Sequence, residues 1–152
     1  MPDRRRSLHS AHYYSLLLGH QVIQEESTKS LQRILCVEDD KDTCEVLRFV
    51  MTDYDFVSVH TIAEAEVAIS KGEFDIYVLD NWLPDGSGVE LCEKIRRHGS
   101  VSPIVFTSAI GQRHDIDVAM NAGADRYLVK PYEPETLVQT VKELLSQSRQ
   151  PA

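Results

Sequence analysis

The sequence lacks the cysteine patterns that would indicate a disulfide framework or a cysteine-bound metal. It has only three cysteines, Cys36, Cys44 and Cys92, and none of them stands at a C-x-x-C or other metal-ligand spacing. Two of them lie inside apolar runs, where a reduced cysteine packs as a small apolar side chain. We therefore expect free thiols in a core.

Positive charge and long apolar runs are also scarce. The chain has 16 Lys and Arg against 24 Asp and Glu, which gives a net charge of -8. This balance argues against direct binding of nucleic acid, which requires a basic face. No stretch approaches the roughly 20 consecutive apolar residues of a membrane span. We expect a cytoplasmic protein with no membrane segment.

The chain has the length of one domain with tails, since it contains 152 residues. Residues 1–30 differ from the rest: basic residues and a polar linker surround a weak apolar spacing that permits a short helix or a flexible extension. We assign this extension no function and expect a domain at residues 31–148 and a tail at 149–152. Three histidines of the extension are interpreted as surface side chains rather than metal ligands: His9, His12 and His20.

From Leu31 onward, short apolar runs alternate with segments of helical spacing. The apolar runs are RILCV, FVSV, FDIYVL, PIVF and YLV, and after each one the apolar residues recur at intervals of three or four. Nearly continuous apolar strands that alternate with helices predict a parallel sheet covered on both faces. Right-handed crossovers then give an open, doubly wound α/β sheet of five strands and five helices.

Polar side chains follow the predicted strands at the edge where ligands bind in such sheets. Asp80 is the hardest of them to explain by packing, because a carboxylate at the end of an apolar strand is costly to bury unless something is bound there. Carboxylates gathered at one edge repel each other, and Mg²⁺ resolves this because it takes carboxylate, water and phosphate oxygens. With a lysine and a hydroxyl, these groups describe a phosphoryl-transfer site with a carboxylate nucleophile. In strand order the residues are Glu38, Asp39 and Asp40, then Asp80, then Thr107 and Ser108, then Lys130.

Each of these residues also has a simpler explanation. Asp39 and Asp40 can cap the helix that begins at Lys41. Thr107 can be an ordinary loop hydroxyl and Lys130 a surface lysine, just as Tyr127 can serve core packing alone. The combination is much harder to explain in this way than any one member.

The segments VEDD, VLDNWLPDGSG, PIVFTSA and GADRYLVKP, in this order, resemble the receiver domain of bacterial response regulators. The resemblance extends from Leu31 to about Ser146. It implies a flavodoxin-like fold with strand order 2-1-3-4-5. It also implies a phosphorylation-activated signalling switch, which is not an enzyme beyond its own phosphoryl transfer and autodephosphorylation.

The same resemblance assigns roles to single residues. Asp80 is the phosphoacceptor, and Lys130 and Thr107 contact the phosphoryl group. Thr107 and Tyr127 form the switch that responds to it, and the peptide bond between Lys130 and Pro131 is cis in the family. The implied ligands of Mg²⁺ are Asp39, Asp40, Asp80 and the main-chain carbonyl of Trp82.

The implied partners are a histidine kinase or a histidine phosphotransfer protein, and a downstream protein target, with dimerisation left open. No output domain follows the last predicted helix, so we expect a stand-alone receiver or one truncated before its output domain. One alternative is an interaction module that uses the receiver fold without phosphorylation, although such modules typically lose an acidic or lysine position. The other is a haloacid-dehalogenase-type phosphatase, which usually has a second Asp where this chain has Trp82.

Overall fold

The structure, a computed structural model, describes residues 29–148. The chain divides into two units, Met1–Ser30 and Leu31–Ala152, and the fold below belongs to the second. The short helix and the three histidines considered within residues 1–28 lie outside the described residues, as does the tail at 149–152.

Five parallel strands form the main sheet. The order across it is β2-β1-β3-β4-β5, which confirms the flavodoxin-like order implied by the sequence. The order reverses at β1, which has β2 on one side and β3 on the other, and ligands bind near such a point. The strands are β1 (Arg33–Val37), β2 (Asp55–Val59), β3 (Ile76–Asp80), β4 (Ile104–Ser108) and β5 (Arg126–Val129).

The five predicted helices lie between and after the strands, and most begin at a side-chain cap. The Asp40 carboxylate and the hydroxyls of Thr61 and Ser87 accept hydrogen bonds from the first-turn N–H groups of three of them. No helix in residues 29–148 combines the length and the apolar character needed to cross a membrane. The helices are α1 (Lys41–Val50), α2 (Ile62–Lys71), α3 (Gly88–Arg97), α4 (Arg113–Ala122) and α5 (Pro134–Gln147).

The core has two layers because the sheet is covered on both faces. Within β1, Ile34 and Cys36 belong to a buried cluster that includes residues of α1 and α5. Their neighbours Leu35 and Val37 belong to the opposite cluster, which includes residues of α2, α3 and α4. Alternate residues of one strand thus serve opposite layers, which explains why the strand is apolar throughout. The three cysteines are buried and free, as predicted.

The structure extends β4 beyond its predicted end and adds a hairpin. The apolar run PIVF stops at Phe106, whereas β4 continues through Ser108, and its Thr107 pairs with Asp80, the last residue of β3. The ladder uses only backbone groups, so polar side chains can occupy the last positions at the sheet edge. A short antiparallel hairpin, with strands Trp82–Leu83 and Gly86–Ser87, then connects β3 to α3.

Candidate functional site

The carboxyl ends of the strands bring together four residues that the sequence singled out. Asp80 and Thr107 are paired neighbours on β3 and β4, and both are buried, with 6% and 2% of their surface exposed. Lys130 follows β5, and its ammonium group lies 3.3 Å from Asp80 Oδ2. Asp39, which follows β1, has a carboxylate oxygen within 4.8 Å of one from Asp80.

Lys130 links two acidic side chains. Its Nζ donates a hydrogen bond to Glu38 Oε2 at 2.6 Å as well as to Asp80 Oδ2. Burial acts to lower the pKa of Lys130, but the hydrogen bond to Glu38 and the negative charge of Asp80 outweigh it and raise the pKa. The lysine therefore stays cationic. The peptide bond from Lys130 to Pro131 is cis, as the resemblance implied.

Three carboxylates form a cluster at this edge. One oxygen each from Glu38, Asp39 and Asp80 lie within 4.8 Å of one another. Burial raises the pKa of the Glu38 carboxyl, while the hydrogen bonds from Lys130 and from the Asp40 main chain oppose this effect. All the atoms of the cluster that could bind a metal are carboxylate oxygens, and the net charge of the cluster is negative. This donor set fits Mg²⁺, which prefers oxygen ligands and one or two carboxylates.

Asp40 lies outside this cluster. Its carboxylate accepts hydrogen bonds from Thr43 Oγ1 at 2.6 Å and from the Asp42 amide at 3.1 Å, and it caps α1. The hydrogen bond from Thr43 lowers the pKa of Asp40. The predicted metal role of Asp40 therefore finds no geometric support, because its oxygens face the helix.

Glu38, and not Asp40, joins Asp39 and Asp80 in the carboxylate cluster. The sequence analysis places Glu38 at the sheet edge but does not include it among the implied ligands of Mg²⁺. The signal that could have found it is the strong preference of Asp for the position just before a helix, which commits Asp40 to capping. Removing Asp40 from the acidic triplet leaves Glu38 and Asp39.

The hairpin keeps the main chain of Trp82 beside the predicted phosphoacceptor. The Trp82 amide donates a hydrogen bond to Asp80 Oδ1 at 3.3 Å. The indole lies at the surface, with 64% of the residue exposed. The main chain of Trp82 therefore lies at the sheet edge beside Asp80, while its ring is largely exposed.

The two predicted switch residues lie on adjacent strands, one register position apart. Phe106 pairs with Tyr127 in the sheet, and Thr107 pairs with the next residue of β5. The rings of Phe106 and Tyr127 stack with centroids 6.2 Å apart. The Tyr127 hydroxyl donates a hydrogen bond to the Ile110 carbonyl at 2.6 Å. Tyr127 is thereby fastened to the loop that leaves β4 directly after Thr107 and Ser108.

Comparisons with known proteins identify the family of this chain. Residues 34–142 match the family model of the response regulator receiver domain. Response regulator ArlR of Staphylococcus haemolyticus (strain JCSC1435) is 32% identical over 124 residues, which cover 80% of this chain and 55% of ArlR. Protein RcaC of Microchaete diplosiphon is 33% identical over 116 residues, which cover 74% of this chain and 18% of RcaC. The chain thus spans only part of the length of these relatives.

Solved structures lead to the same family. The crystal structure of a two-component response regulator from Clostridium difficile has a TM-score of 0.74 and 32% sequence identity, covering 78% of this chain and 99% of that one. The general role of the family is phosphorylation-dependent switching in two-component signalling. Because the family model matches more than half of the chain, the chain belongs to the response regulator receiver domain family.

Proposed function

We propose that this chain is a phosphorylation-activated signalling switch with Asp80 as its phosphoacceptor. The observation that supports this best is the buried Asp80 carboxylate, which lies at a strand end beside the Lys130 cation and two further carboxylates. A strand end holding this many charges is costly unless it serves a ligand.

The proposed donor is a phosphohistidine on a histidine kinase or a histidine phosphotransfer protein. An oxygen of Asp80 attacks the phosphorus, the phosphorus–nitrogen bond breaks, and the imidazole of the donor leaves with the bonding electrons. The product on this chain is an acyl phosphate. Lys130 keeps its positive charge and pairs with the phosphoryl oxygens, and the Thr107 hydroxyl donates a hydrogen bond to one of them.

The proposed ligands of Mg²⁺ are Asp39, Asp80 and the main-chain carbonyl of Trp82, with Glu38 in the place first given to Asp40. When bound, Mg²⁺ supplies positive charge that neutralises the phosphoryl oxygens. Glu38 is tied to Lys130 at 2.6 Å, so its contribution is to set the position of the lysine as well as the charge of the site.

The proposed output is a change in protein binding. Modification of Asp80 is sensed by Thr107 and Tyr127 and alters the face formed by α4, β5 and α5, which then binds a downstream protein or a second receiver. We place this activity in the cytoplasm and propose no direct binding of nucleic acid by residues 31–148.

The test is phosphorylation by a small-molecule donor. The protein is incubated with acetyl phosphate and Mg²⁺, and its intact mass is recorded. We expect a gain of one phosphoryl group that is absent from Asp80→Asn and from an EDTA control, whereas Asp117→Asn, on the exposed side of α4, retains the gain. If the folded wild-type protein gains nothing, even from a phosphohistidine donor, the proposal fails. An interaction module independent of phosphorylation then becomes the better explanation.

A further inference from the structure

The turn of the hairpin that carries Trp82 is bound to the start of α2. Both carboxylate oxygens of Asp85 accept hydrogen bonds from this helix, Oδ1 from the Ile62 amide at 2.8 Å and Oδ2 from the Ala63 amide at 3.0 Å. Leu83, on the same hairpin, is buried in one apolar cluster with Ile62. Gly86 approaches so closely that a Cβ there would lie 2.7 Å from Ile62 Cδ1.

Asp85 supplies hydrogen bonds that α2 cannot make by itself. The first N–H groups of a helix have no partner within it. The hydroxyl of Thr61 accepts from the Glu64 amide at 3.1 Å, but this cap does not reach the amides of Ile62 and Ala63. Asp85 binds both of these, and their hydrogen bonds lower the pKa of its carboxyl. The contact is therefore a two-point attachment between the hairpin and the helix.

The other end of the hairpin lies at the site. Trp82 pairs with Ser87 across the hairpin, and its amide reaches Asp80 Oδ1 at 3.3 Å. The Ser87 hydroxyl donates to Asn81 Oδ1 at 3.0 Å. Only two residues separate Asp85 from Trp82 in the chain, and the paired strands transmit the position of the turn to the main chain beside the acceptor.

We propose that Asp85 is a positioning residue of the magnesium site, because it fixes the hairpin to α2 and so holds the main chain of Trp82 beside Asp80. This inference rests on the proposed function, in which the Trp82 carbonyl is a metal ligand. Asp85 itself does not touch the site. It acts through a rigid connection, as outer residues around metal sites commonly do.

The test compares Asp85 with a second cap of the same helix. Mg²⁺ binding is measured by calorimetry and by the fluorescence of Trp82, which is the only tryptophan of the chain. Asp85→Ala removes the two hydrogen bonds that join the hairpin to α2, and we expect it to bind Mg²⁺ about tenfold more weakly, as is typical when an outer support of a metal site is lost. Asp85→Asn keeps one acceptor oxygen, so we expect its affinity for Mg²⁺ to lie between those of wild type and Asp85→Ala. Thr61→Ala weakens the same end of α2 without touching the hairpin, and we expect it to bind Mg²⁺ as wild type does.

The outcomes separate this inference from the proposed function. If wild type binds Mg²⁺ and both Asp85 variants bind it equally well, the positioning role is overturned while the metal site stands. An equal loss in Thr61→Ala and Asp85→Ala also overturns it, since helix stability would then explain the effect. If wild type itself does not bind Mg²⁺, the proposed metal site fails first. Should Asp85→Ala not fold, as judged by thermal unfolding, Asp85→Asn carries the comparison.

Discussion

At the scale of single residues, Lys130 explains how several carboxylates share one edge of the sheet. Its ammonium group contacts both Glu38 and Asp80, and most of its side chain is covered. Burial and the negative charge of Asp80 raise the pKa of Glu38, and the hydrogen bond from Lys130 opposes this rise. With the lysine between them, the edge keeps the negative charge that a divalent cation requires.

The two neighbours of Asp39 provide the first prediction. Glu38 belongs to the carboxylate cluster and Asp40 caps α1, so we expect Glu38→Gln to weaken Mg²⁺ binding and Asp40→Asn to leave it close to that of wild type. Calorimetric titration with Mg²⁺ measures both variants. The reverse result, with binding lost only in Asp40→Asn, would restore the ligand set first implied by the sequence.

The bulk of Trp82 beside the acceptor provides the second prediction. We expect the indole to limit the access of water to the acyl phosphate on Asp80, so Trp82→Asn should hydrolyse it several-fold faster than wild type. Release of inorganic phosphate after removal of the donor gives the rate. Val101→Asn, which also replaces a highly exposed apolar side chain but lies far along the chain, serves as the control. Equal or slower hydrolysis in Trp82→Asn would contradict the idea.

Single residues also mark the limit of reading the site from sequence. That Asp80, Thr107 and Lys130 lie together could be predicted because each follows an apolar run, and the topology brings strand ends together. Within the acidic triplet no such rule applies, since consecutive residues of a loop follow no fixed period. The side chain of Glu38 reaches the cluster only because β1 ends where it does.

At the scale of elements, the ionised carboxylates of two aspartates stabilise the N-terminal ends of two helices. The Asp40 carboxylate caps α1, and Asp85 binds the start of α2 from the hairpin. A carboxylate near a helix N-terminus is stabilised by the free N–H groups and by the helix dipole. Each of these caps therefore depends on ionisation.

The third prediction is that acid weakens these two caps. The pKa of Asp40 is lowered by the hydrogen bond from Thr43 and that of Asp85 by the bonds from the α2 amides, both from an ordinary value of 3.8. A carboxyl whose pKa is lower in the folded state adds stability that is present above its ordinary pKa and is lost as the pH falls through the folded-state value. The free energy of unfolding, measured with urea, should therefore be lower than that of wild type for Asp40→Asn and Asp85→Asn at neutral pH. This difference should shrink below pH 3.8.

The control for this prediction is Thr61→Ala, which removes an uncharged cap of α2. The loss in its free energy of unfolding relative to wild type should not depend on ionisation and should persist over the same range of pH. If the loss in the two aspartate variants were also constant with pH, the two carboxylates would stabilise the helices through shape and not through charge.

The order of the elements could be predicted from the sequence, but not the end of every strand. Apolar runs such as RILCV and PIVF locate strands because both faces of the sheet are covered. The prediction stopped β4 at Phe106, where the apolar residues stop, whereas backbone pairing continues through Ser108. The hairpin was missed because its strands have two residues each, too few for any periodicity.

At the scale of the whole molecule, the candidate site lies beside the loop that connects β4 to α4, and this loop is also hydrogen-bonded to β5. β4 carries Thr107 to the edge, and the loop beyond it is held by the hydroxyl of Tyr127 on β5 through the Ile110 carbonyl. A change at Asp80 thus has a short path of direct contacts to β5 and α4. Contacts alone do not establish coupling, which requires an element with two arrangements that both ends influence.

The last prediction tests for such an element. We expect beryllofluoride, a phosphate mimic, to shift the amide resonances of β4, of the loop to Ile110 and of β5 in the presence of Mg²⁺, because the hydroxyl of Thr107 and the ring of Tyr127 move together. Tyr127→Phe keeps the ring that stacks on Phe106 but loses the hydrogen bond to Ile110. In this variant the shifts near Asp80 should remain while those of β5 shrink.

Two-dimensional NMR of wild type, Tyr127→Phe and Asp80→Asn measures the effect, with Asp80→Asn expected to show no response. The Tyr127 hydroxyl holds the loop to β5 through the Ile110 carbonyl, so its removal should loosen this link without removing the binding of the mimic. Shifts confined to the immediate surroundings of Asp80 in wild type would mean that the fold binds the phosphoryl group rigidly. An unchanged pattern in Tyr127→Phe would instead locate the coupling in the buried ring, since its stacking on Phe106 is the contact that this variant retains.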